Sequence, residues 1–209
     1  MLYIDSAERD ELAPLLETGL FAGVTTNPLI LRKAGLGADG LPPLLDWLRA
    51  RGVSRFFAQA TGETREDVRA SATRILDLGE DVVVKLVATR VGLSVAREVT
   101  ERGREVLVTA VYHPTQAVLA EAAGARAVAP YVGRAGDAGR DGVELVRSII
   151  AVAPRTRVLA ASIRSVDQLT EVMRAGAHEV TVSTQIAQAL FDDELTARAA
   201  EEFETIANA

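Results

Sequence analysis

The chain has 209 residues, of which 48% are hydrophobic and 25% are charged, a composition typical of globular proteins with a sizeable core. Its net charge of −6 provides no basic surface for nucleic acid or an anionic membrane, so neither is expected as a partner. Because the chain has no cysteine and only two distant histidines, His113 and His178, we expect no disulfide, no thiolate chemistry and no metal site.

The predicted elements alternate between short apolar strands and amphipathic helices. We predict strands at residues 2–4, 21–26, 53–58, 81–86, 105–111, 126–132, 157–163 and 179–182. Helices are predicted at 7–17, from 28 onwards, and at 41–50, 64–78, 92–102, 114–123, 141–152, 166–175, 184–190 and 194–207. The stretch 133–139 contains three glycines and is predicted as a loop.

Strands that are apolar throughout are typical of parallel sheets covered by helices. Eight strand–helix units predict an α/β fold, a single (β/α)8 TIM barrel domain over residues 1–209 with an extra C-terminal helix. No Gly-x-Gly-x-x-Gly motif follows the first strand, which argues against a dinucleotide-binding sheet. Neither a secretory signal nor a membrane-spanning apolar run is visible, so we expect a cytoplasmic location.

The fourth strand carries a lysine, a residue that this chain almost never uses. Lys85 follows three valines, and Lys33 is the only other lysine among 23 basic residues. Arginine stays protonated in proteins, whereas a buried lysine can lose its proton and act as an amine nucleophile. We therefore predict that Lys85 forms a Schiff base. The alternative is a lysine near a strand end that extends to solvent and has no chemical role.

Polar side chains occur at the carboxyl ends of seven of the eight predicted strands, where barrels of this kind carry their catalytic residues. They are Asp5, Thr25, Asn27, Gln59, Lys85, Thr109, Tyr131, Ser162 and Arg164. Helix caps and loop starts also place polar residues at strand ends, but a rim used only for packing would carry Val, Ile or Ala. Arg134 and Arg164 follow strands six and seven. Each alone would be an ordinary surface charge, but as a pair beside Ser162 they predict a phosphate site.

Four segments together resemble the small transaldolase-like family, whose two branches are transaldolases and fructose-6-phosphate aldolases. They are Phe-Ala-Gly-Val-Thr-Thr-Asn-Pro at 21–28, Val-Val-Val-Lys at 82–85, Ala-Pro-Tyr-Val-Gly-Arg at 129–134 and Leu-Ala-Ala-Ser-Ile-Arg at 159–164. The segments occur in the family's order, and the resemblance covers nearly the whole chain. It implies a barrel, a class I mechanism without metal or other cofactor, and homo-oligomers that are ring-shaped pentamers or paired decamers.

The resemblance also implies a role for each candidate residue. Lys85 would form the imine with a ketose carbonyl. Asp5, Asn27, Gln59 and Thr109 match positions that hold substrate hydroxyls and a catalytic water, and Thr25 joins Asn27 in substrate binding. Arg134, Ser162 and Arg164 match the phosphate side of the site.

Two positions separate the branches of the family. Transaldolases typically carry Glu where this chain has Gln59 and Phe where it has Tyr131, so the pair resembles the aldolase branch. A phenol near the imine can hold a water and move protons, which lets a bound enamine be protonated and released. The chain departs from the family pattern at Val87 and Ser183, which replace prolines, and at 90–91, while Gly133 and Arg164 resemble the transaldolase branch. These departures leave the identity of the substrate undecided.

The predicted enzyme is a class I aldolase that reversibly cleaves a ketose phosphate such as fructose 6-phosphate into dihydroxyacetone and glyceraldehyde 3-phosphate. Lys85 attacks the carbonyl carbon, and Tyr131 moves the carbon-4 hydroxyl proton through a water held by Gln59 and Thr109. Asp5 assists proton transfer. One alternative is a transaldolase of the pentose phosphate pathway, which passes the three-carbon unit to erythrose 4-phosphate. Another is a non-catalytic sugar-phosphate-binding barrel.

Overall fold

The computed structural model describes residues 1–208, which form a closed barrel of eight parallel strands in sequence order, as predicted. The strands are β1 (Leu2–Asp5), β2 (Gly23–Thr25), β3 (Phe56–Gln59), β4 (Val82–Val87), β5 (Val106–Val111), β6 (Ala127–Pro130), β7 (Arg157–Ala160) and β8 (Glu179–Val182). Each strand pairs with the next, and β8 pairs with β1 to close the barrel. Ala209, the last residue of the predicted domain, lies outside the described residues.

Helices follow the strands around the barrel, and the predicted extra C-terminal helix is present. They are α1 (Arg9–Glu17), α2 (Pro28–Lys33), α3 (Leu41–Arg49), α4 (Arg65–Leu76), α5 (Arg90–Glu101), α6 (Pro114–Ala122), α7 (Val132–Asp137), α8 (Gly142–Val152), α9 (Val166–Arg174), α10 (Thr184–Ala189) and α11 (Glu194–Ala207). A short 3₁₀ turn, Ala38–Gly40, precedes α3. Among residues 1–208, no helix is both long and apolar enough to cross a lipid bilayer.

The loop predicted at 133–139 is wrong, because most of this stretch is helix α7. A Cβ atom at Gly133 would lie 2.3 Å from the carbonyl oxygen of Ser162, so glycine is needed for α7 to approach the chain that follows β7. Gly139, with a φ of +74°, reverses the chain after the helix ends. The glycines therefore mark a close contact and a helix end.

Alternate strand residues fill the inside of the barrel. This interior cluster consists of Tyr3, Phe57, Val83, Leu107, Ala127, Ala129, Tyr131, Leu159 and Ala161. Side chains two residues apart in a strand face the same side of the sheet. Asp5, Lys85 and Thr109 each come two residues after a member of the cluster, so the strand period directs them to the carboxyl end of the interior. A larger apolar cluster lies between the strands and the surrounding helices.

The amino-terminal end of the barrel is closed by charged side chains. Glu179 is fully buried, and its Oε1 accepts hydrogen bonds from Arg126 Nη2 at 3.1 Å and Arg157 Nε at 2.9 Å. Burial raises the pKa of Glu179, but the two guanidinium groups outweigh burial, so its pKa lies below the usual range. Arg55 and Glu105 extend this ionic cluster toward solvent.

Candidate active site

A cavity of about 200 Å³ opens at the carboxyl ends of the strands. Eight of the ten predicted site residues line it, namely Asp5, Thr25, Asn27, Lys85, Tyr131, Arg134, Ser162 and Arg164. Apolar side chains of the interior cluster, including Leu107 and Leu159, form part of its wall. The cavity thus combines convergent polar groups, which are the larger part of its lining, with a smaller apolar wall.

Lys85 reaches this cavity from β4, between β3 and β5. Its side chain is 4% exposed, and Nζ donates a hydrogen bond to the backbone carbonyl oxygen of Thr26 at 2.7 Å. Burial lowers the pKa of Lys85, the Asp5 carboxylate raises it, and Arg134 lowers it further, with a net decrease. A larger fraction of the amine is therefore neutral, which is the form that attacks a carbonyl.

Asp5 lies at the end of β1 and is held by a hydroxyl from the neighbouring strand. Thr25, its register partner on β2, donates from Oγ1 to Asp5 Oδ1 at 2.6 Å. Burial raises the pKa of Asp5, whereas Lys85, the Thr25 hydroxyl and Arg134 oppose that rise, with a net increase. Asp5 is thus a carboxyl group that can exchange a proton more readily than an exposed aspartate.

Tyr131 lies between β6 and α7, at the N-cap position of the helix. Its hydroxyl oxygen accepts a hydrogen bond from Thr109 Oγ1 at 3.1 Å, so its own proton can be directed elsewhere. Burial raises the pKa of Tyr131, the Thr109 hydroxyl lowers it, Asp5 raises it and Arg134 lowers it, with a net increase. The phenol therefore stays protonated at neutral pH and can act as a proton donor.

Asn27 is fixed in orientation because it caps the helix that follows β2. Its Oδ1 accepts from the backbone N–H groups of Leu29 at 2.9 Å and Ile30 at 3.1 Å, and Pro28 occupies the first helical position. The cap engages the oxygen, so the amide N–H groups are the donors that Asn27 can offer to a ligand.

Arg134, Ser162 and Arg164 lie on one side of the cavity. The guanidinium carbon of Arg134 is 4.8 Å from the centre of the Tyr131 ring, and its backbone N–H donates to Ser162 Oγ at 3.2 Å. Ser162 has a φ of +60°, an uncommon conformation for a residue other than glycine. Arg164 Nη2 donates to Asp137 Oδ2 at 2.7 Å. An anion at this end of the cavity would lie near two guanidinium groups.

Two predicted site residues do not line the cavity. Thr109 does not border the cavity itself, but it donates a hydrogen bond to Tyr131, which does. Gln59 pairs in register with Lys85 but lines a separate cavity of about 470 Å³, whose walls include residues of α2, α3 and α4. The water-holding role of Gln59 therefore stays a prediction.

Thr181 and Ser183, which were not among the predicted site residues, line the cavity from the end of β8. Thr181 stands two residues after Glu179, on the interior side of the strand, so the two-residue period could have identified it. Threonine is common in strands for reasons of packing alone, so its presence there is only a weak indication of a site. In the described part of the chain, no three His, Cys, Asp or Glu side chains are grouped closely enough to hold a metal ion.

The family model for transaldolase/fructose-6-phosphate aldolase matches residues 2–209. A probable transaldolase of Alkaliphilus metalliredigens is 33% identical over 97% of this chain and 95% of its own length. Probable transaldolase 2 of Bacillus anthracis is 34% identical over 96% of this chain and 94% of its own.

A solved structure described as native KDPGal superposes with a TM-score of 0.60 at 16% identity, covering 88% of this chain and 81% of the other. That likeness supports the fold alone. The match to the family model and the identity to curated relatives extend over almost the entire chain, which therefore belongs to the transaldolase/fructose-6-phosphate aldolase family.

Proposed function

We propose that this protein is a class I aldolase that reversibly cleaves a ketose phosphate, with fructose 6-phosphate as the leading candidate. The observation that carries the proposal is Lys85, a buried amine that donates to a neutral carbonyl oxygen inside a polar cavity. A backbone carbonyl has no net charge, so it stabilises the ammonium form of Lys85 less than a carboxylate hydrogen-bonded to Nζ would. Burial disfavours the charged form of the amine as well.

In the proposed reaction, Lys85 Nζ adds to the ketose carbonyl, and loss of water gives an iminium. The bond between carbons 3 and 4 then breaks, its electron pair passes into the iminium to form an enamine, and the carbon-4 hydroxyl loses its proton. Glyceraldehyde 3-phosphate leaves as the aldehyde. Protonation of the enamine and hydrolysis of the resulting iminium release dihydroxyacetone and restore the amine. No metal takes part in the proposed steps.

The neighbouring groups suit these proton transfers. Tyr131 keeps its proton and receives a hydrogen bond from Thr109, so its hydroxyl can hold the water through which the carbon-4 hydroxyl proton passes to the Asp5 carboxylate. Tyr131 can then donate its own proton to the enamine and regain one from Asp5 through the same water. Asp5 and Asn27 are oriented to hold hydroxyls of the lysine-bound fragment. Arg134 and Arg164 provide positive charge for the phosphate of the departing aldehyde.

The second candidate is a transaldolase, which transfers the same enamine to an acceptor such as erythrose 4-phosphate. Two observations favour it: the curated relatives are named probable transaldolases, and Gly133 and Arg164 resemble that branch. Tyr131 favours the aldolase, because a phenol beside the enamine provides the proton for release without an acceptor.

The experiment that tests the proposal is borohydride reduction in the presence of fructose 6-phosphate or dihydroxyacetone, read by intact mass and peptide mapping. We expect one stable adduct, on Lys85. The matched control is Lys33→Arg, which removes the only other lysine and should still form the adduct. No adduct in folded protein with either ketose would overturn the imine mechanism and favour a sugar-phosphate-binding barrel. If the adduct forms, an assay for free dihydroxyacetone in the absence of an aldehyde acceptor distinguishes the two candidates. An aldolase releases dihydroxyacetone under these conditions, whereas a transaldolase retains it as the enamine.

The proposal includes a single domain, a cytoplasmic location and assembly into a pentamer or decamer, which come from the sequence and the family resemblance. Assembly is supported by α11, where none of the side chains is buried and Leu195, Phe203 and Ile206 are exposed apolar residues. Light scattering that gives the mass of one 22.2 kDa chain would contradict this part of the proposal.

A further inference from the structure

Thr181 of β8 is a buried polar residue to which the proposed mechanism assigns no role. Its side chain is 3% exposed and lines the cavity of the candidate site. Its Oγ1 lies 2.7 Å from Thr25 Oγ1, within hydrogen-bond distance. Because β1 lies between β2 and β8 in the barrel, the two threonines approach from both sides of the strand that carries Asp5.

The three side chains form a hydrogen-bonded chain whose direction follows from the number of protons. An ionised carboxylate can only accept, so the single hydroxyl proton of Thr25 is donated to Asp5 Oδ1 at 2.6 Å. Thr25 then has only lone pairs to offer at the 2.7 Å contact, so Thr181 is the donor there. The chain runs from Thr181 through Thr25 to Asp5.

We propose that Thr181 is a positioning residue for the proposed aldol reaction, acting on Asp5 through the hydroxyl of Thr25. The inference rests on the proposed function, since it assumes that Asp5 serves the substrate. Thr181 holds Thr25 in the rotamer that donates to Oδ1. That contact fixes the carboxylate plane and leaves Oδ2 to accept a hydrogen bond from a ligand hydroxyl.

The chain also has an electrostatic consequence. A donor bonded to the Thr25 oxygen polarises its O–H group and strengthens the hydrogen bond that Thr25 donates. Burial favours the protonated form of Asp5, and the chain opposes burial by favouring the carboxylate. The chain thereby limits the rise in the pKa of Asp5 that burial causes.

The test is a pair of substitutions with a matched control. Thr181→Val keeps the shape of the side chain but removes the donor, whereas Thr181→Ser restores the hydroxyl. Thr156→Val makes the same change at another buried threonine, 2% exposed, which does not line the cavity.

Two readouts are needed: the dependence of kcat/KM on pH for fructose 6-phosphate cleavage, and the titration of Asp5 itself. The titration can be followed by isotope-edited infrared spectroscopy of protein labelled at the aspartate carboxyl carbon. Subtracting the spectrum of the Asp5→Asn variant leaves the carboxyl band of Asp5, and the method works for an assembly of any size.

In Thr181→Val we expect the pKa of Asp5 to rise by roughly 0.3 to 0.7 unit, and the acid limb of kcat/KM to move by the same amount. The value of kcat should fall roughly three- to tenfold, since the carboxylate is less well held. Thr181→Ser should recover both values, and Thr156→Val should change neither.

A folded Thr181→Val variant with an unchanged Asp5 titration and pH profile would overturn the inference. Failure of Thr181→Ser to restore them would also overturn it, because packing and not the hydroxyl would then be responsible. If the unmodified protein forms no lysine adduct, the proposed function fails. The infrared titration would still decide whether Thr181 acts on Asp5.

Discussion

The protonation of Lys85 depends on a balance between burial, which favours the neutral amine, and Asp5, which favours the ammonium. Its folded-state pKa is lowered, so the unfolded chain binds more protons between the folded pKa and the ordinary value of about 10.4. The free energy of unfolding should therefore rise with pH across that window.

We expect Lys85→Met to remove this rise and to lower aldol cleavage by roughly 10⁴-fold or more, because the nucleophile is absent. Urea unfolding between pH 6 and 10, followed by the fluorescence of Trp47, measures the stability change. Lys33→Met is the control, since Lys33 is exposed and should alter neither quantity. The same pH slope in the unmodified protein and in Lys85→Met would show that the amine is not shifted.

Tyr131 should decide whether the enamine is released or transferred. Tyr131→Phe removes the proton donor while keeping the ring, so we expect release of free dihydroxyacetone to fall about 10²-fold. Transfer to erythrose 4-phosphate should change much less, because the aldehyde acceptor takes the place of the proton. Assays with and without that acceptor measure both rates. Tyr112→Phe is a suitable control, since this ring packs against Tyr131 at 5.8 Å between centres. An equal loss of release and transfer would contradict the assignment.

At the scale of the element, α7 shows what sequence patterns can miss. Glycines at 133, 136 and 139 predicted a loop, because glycine is unfavourable inside helices. The structure instead uses Gly133 to bring α7 against the carbonyl of Ser162, a contact between residues 29 positions apart that no local pattern contains. The position at the carboxyl ends of strands, in contrast, indicated that Asp5 and Lys85 border one cavity, because parallel strands end together at one side of the barrel.

The ion pair between α7 and the end of β7 should tune affinity for phosphate. Asp137 pairs with Arg164, and the two side chains are 63% and 59% exposed, so the pair is screened and contributes little to stability. We expect Asp137→Asn to lower KM for fructose 6-phosphate roughly two- to fivefold, because Arg164 is released and a negative charge is removed. kcat should stay unchanged.

Steady-state kinetics with fructose 6-phosphate and with unphosphorylated fructose separate this effect from a general one. The change in KM should appear only with the phosphorylated sugar, and Asp10→Asn, on the exposed surface of α1, should have no effect. A similar change in KM for fructose would mean that Asp137 does not act through the phosphate.

At the scale of the whole molecule, the closed eight-stranded barrel was predictable because each strand–helix unit carries its own pattern. The cavity was predictable in outline, since parallel strands bring their carboxyl ends together. Finer relations were not, because they depend on which side chains face each other across the interior. Thr25 and Thr181, 156 positions apart, meet only when β8 closes on β1, and Gln59 borders a different cavity from Lys85 despite pairing with it in register.

Glu179 should contribute most of the pH-dependent stability at the closed end of the barrel. Its folded pKa is lowered, so its stabilising effect is present above the unfolded pKa of about 4.3 and is lost as pH falls through the folded pKa. We expect Glu179→Gln to lower the free energy of unfolding by about 3 kcal/mol at pH 7, because Arg126 and Arg157 lose their buried partner.

Urea unfolding at pH 7 and pH 3 measures the difference between variant and unmodified protein, which should shrink at the lower pH. Glu80→Gln removes an exposed partner of Arg104 and should cost less than about 1 kcal/mol at both. A loss in Glu179→Gln that stays constant with pH would indicate packing and not charge at this position.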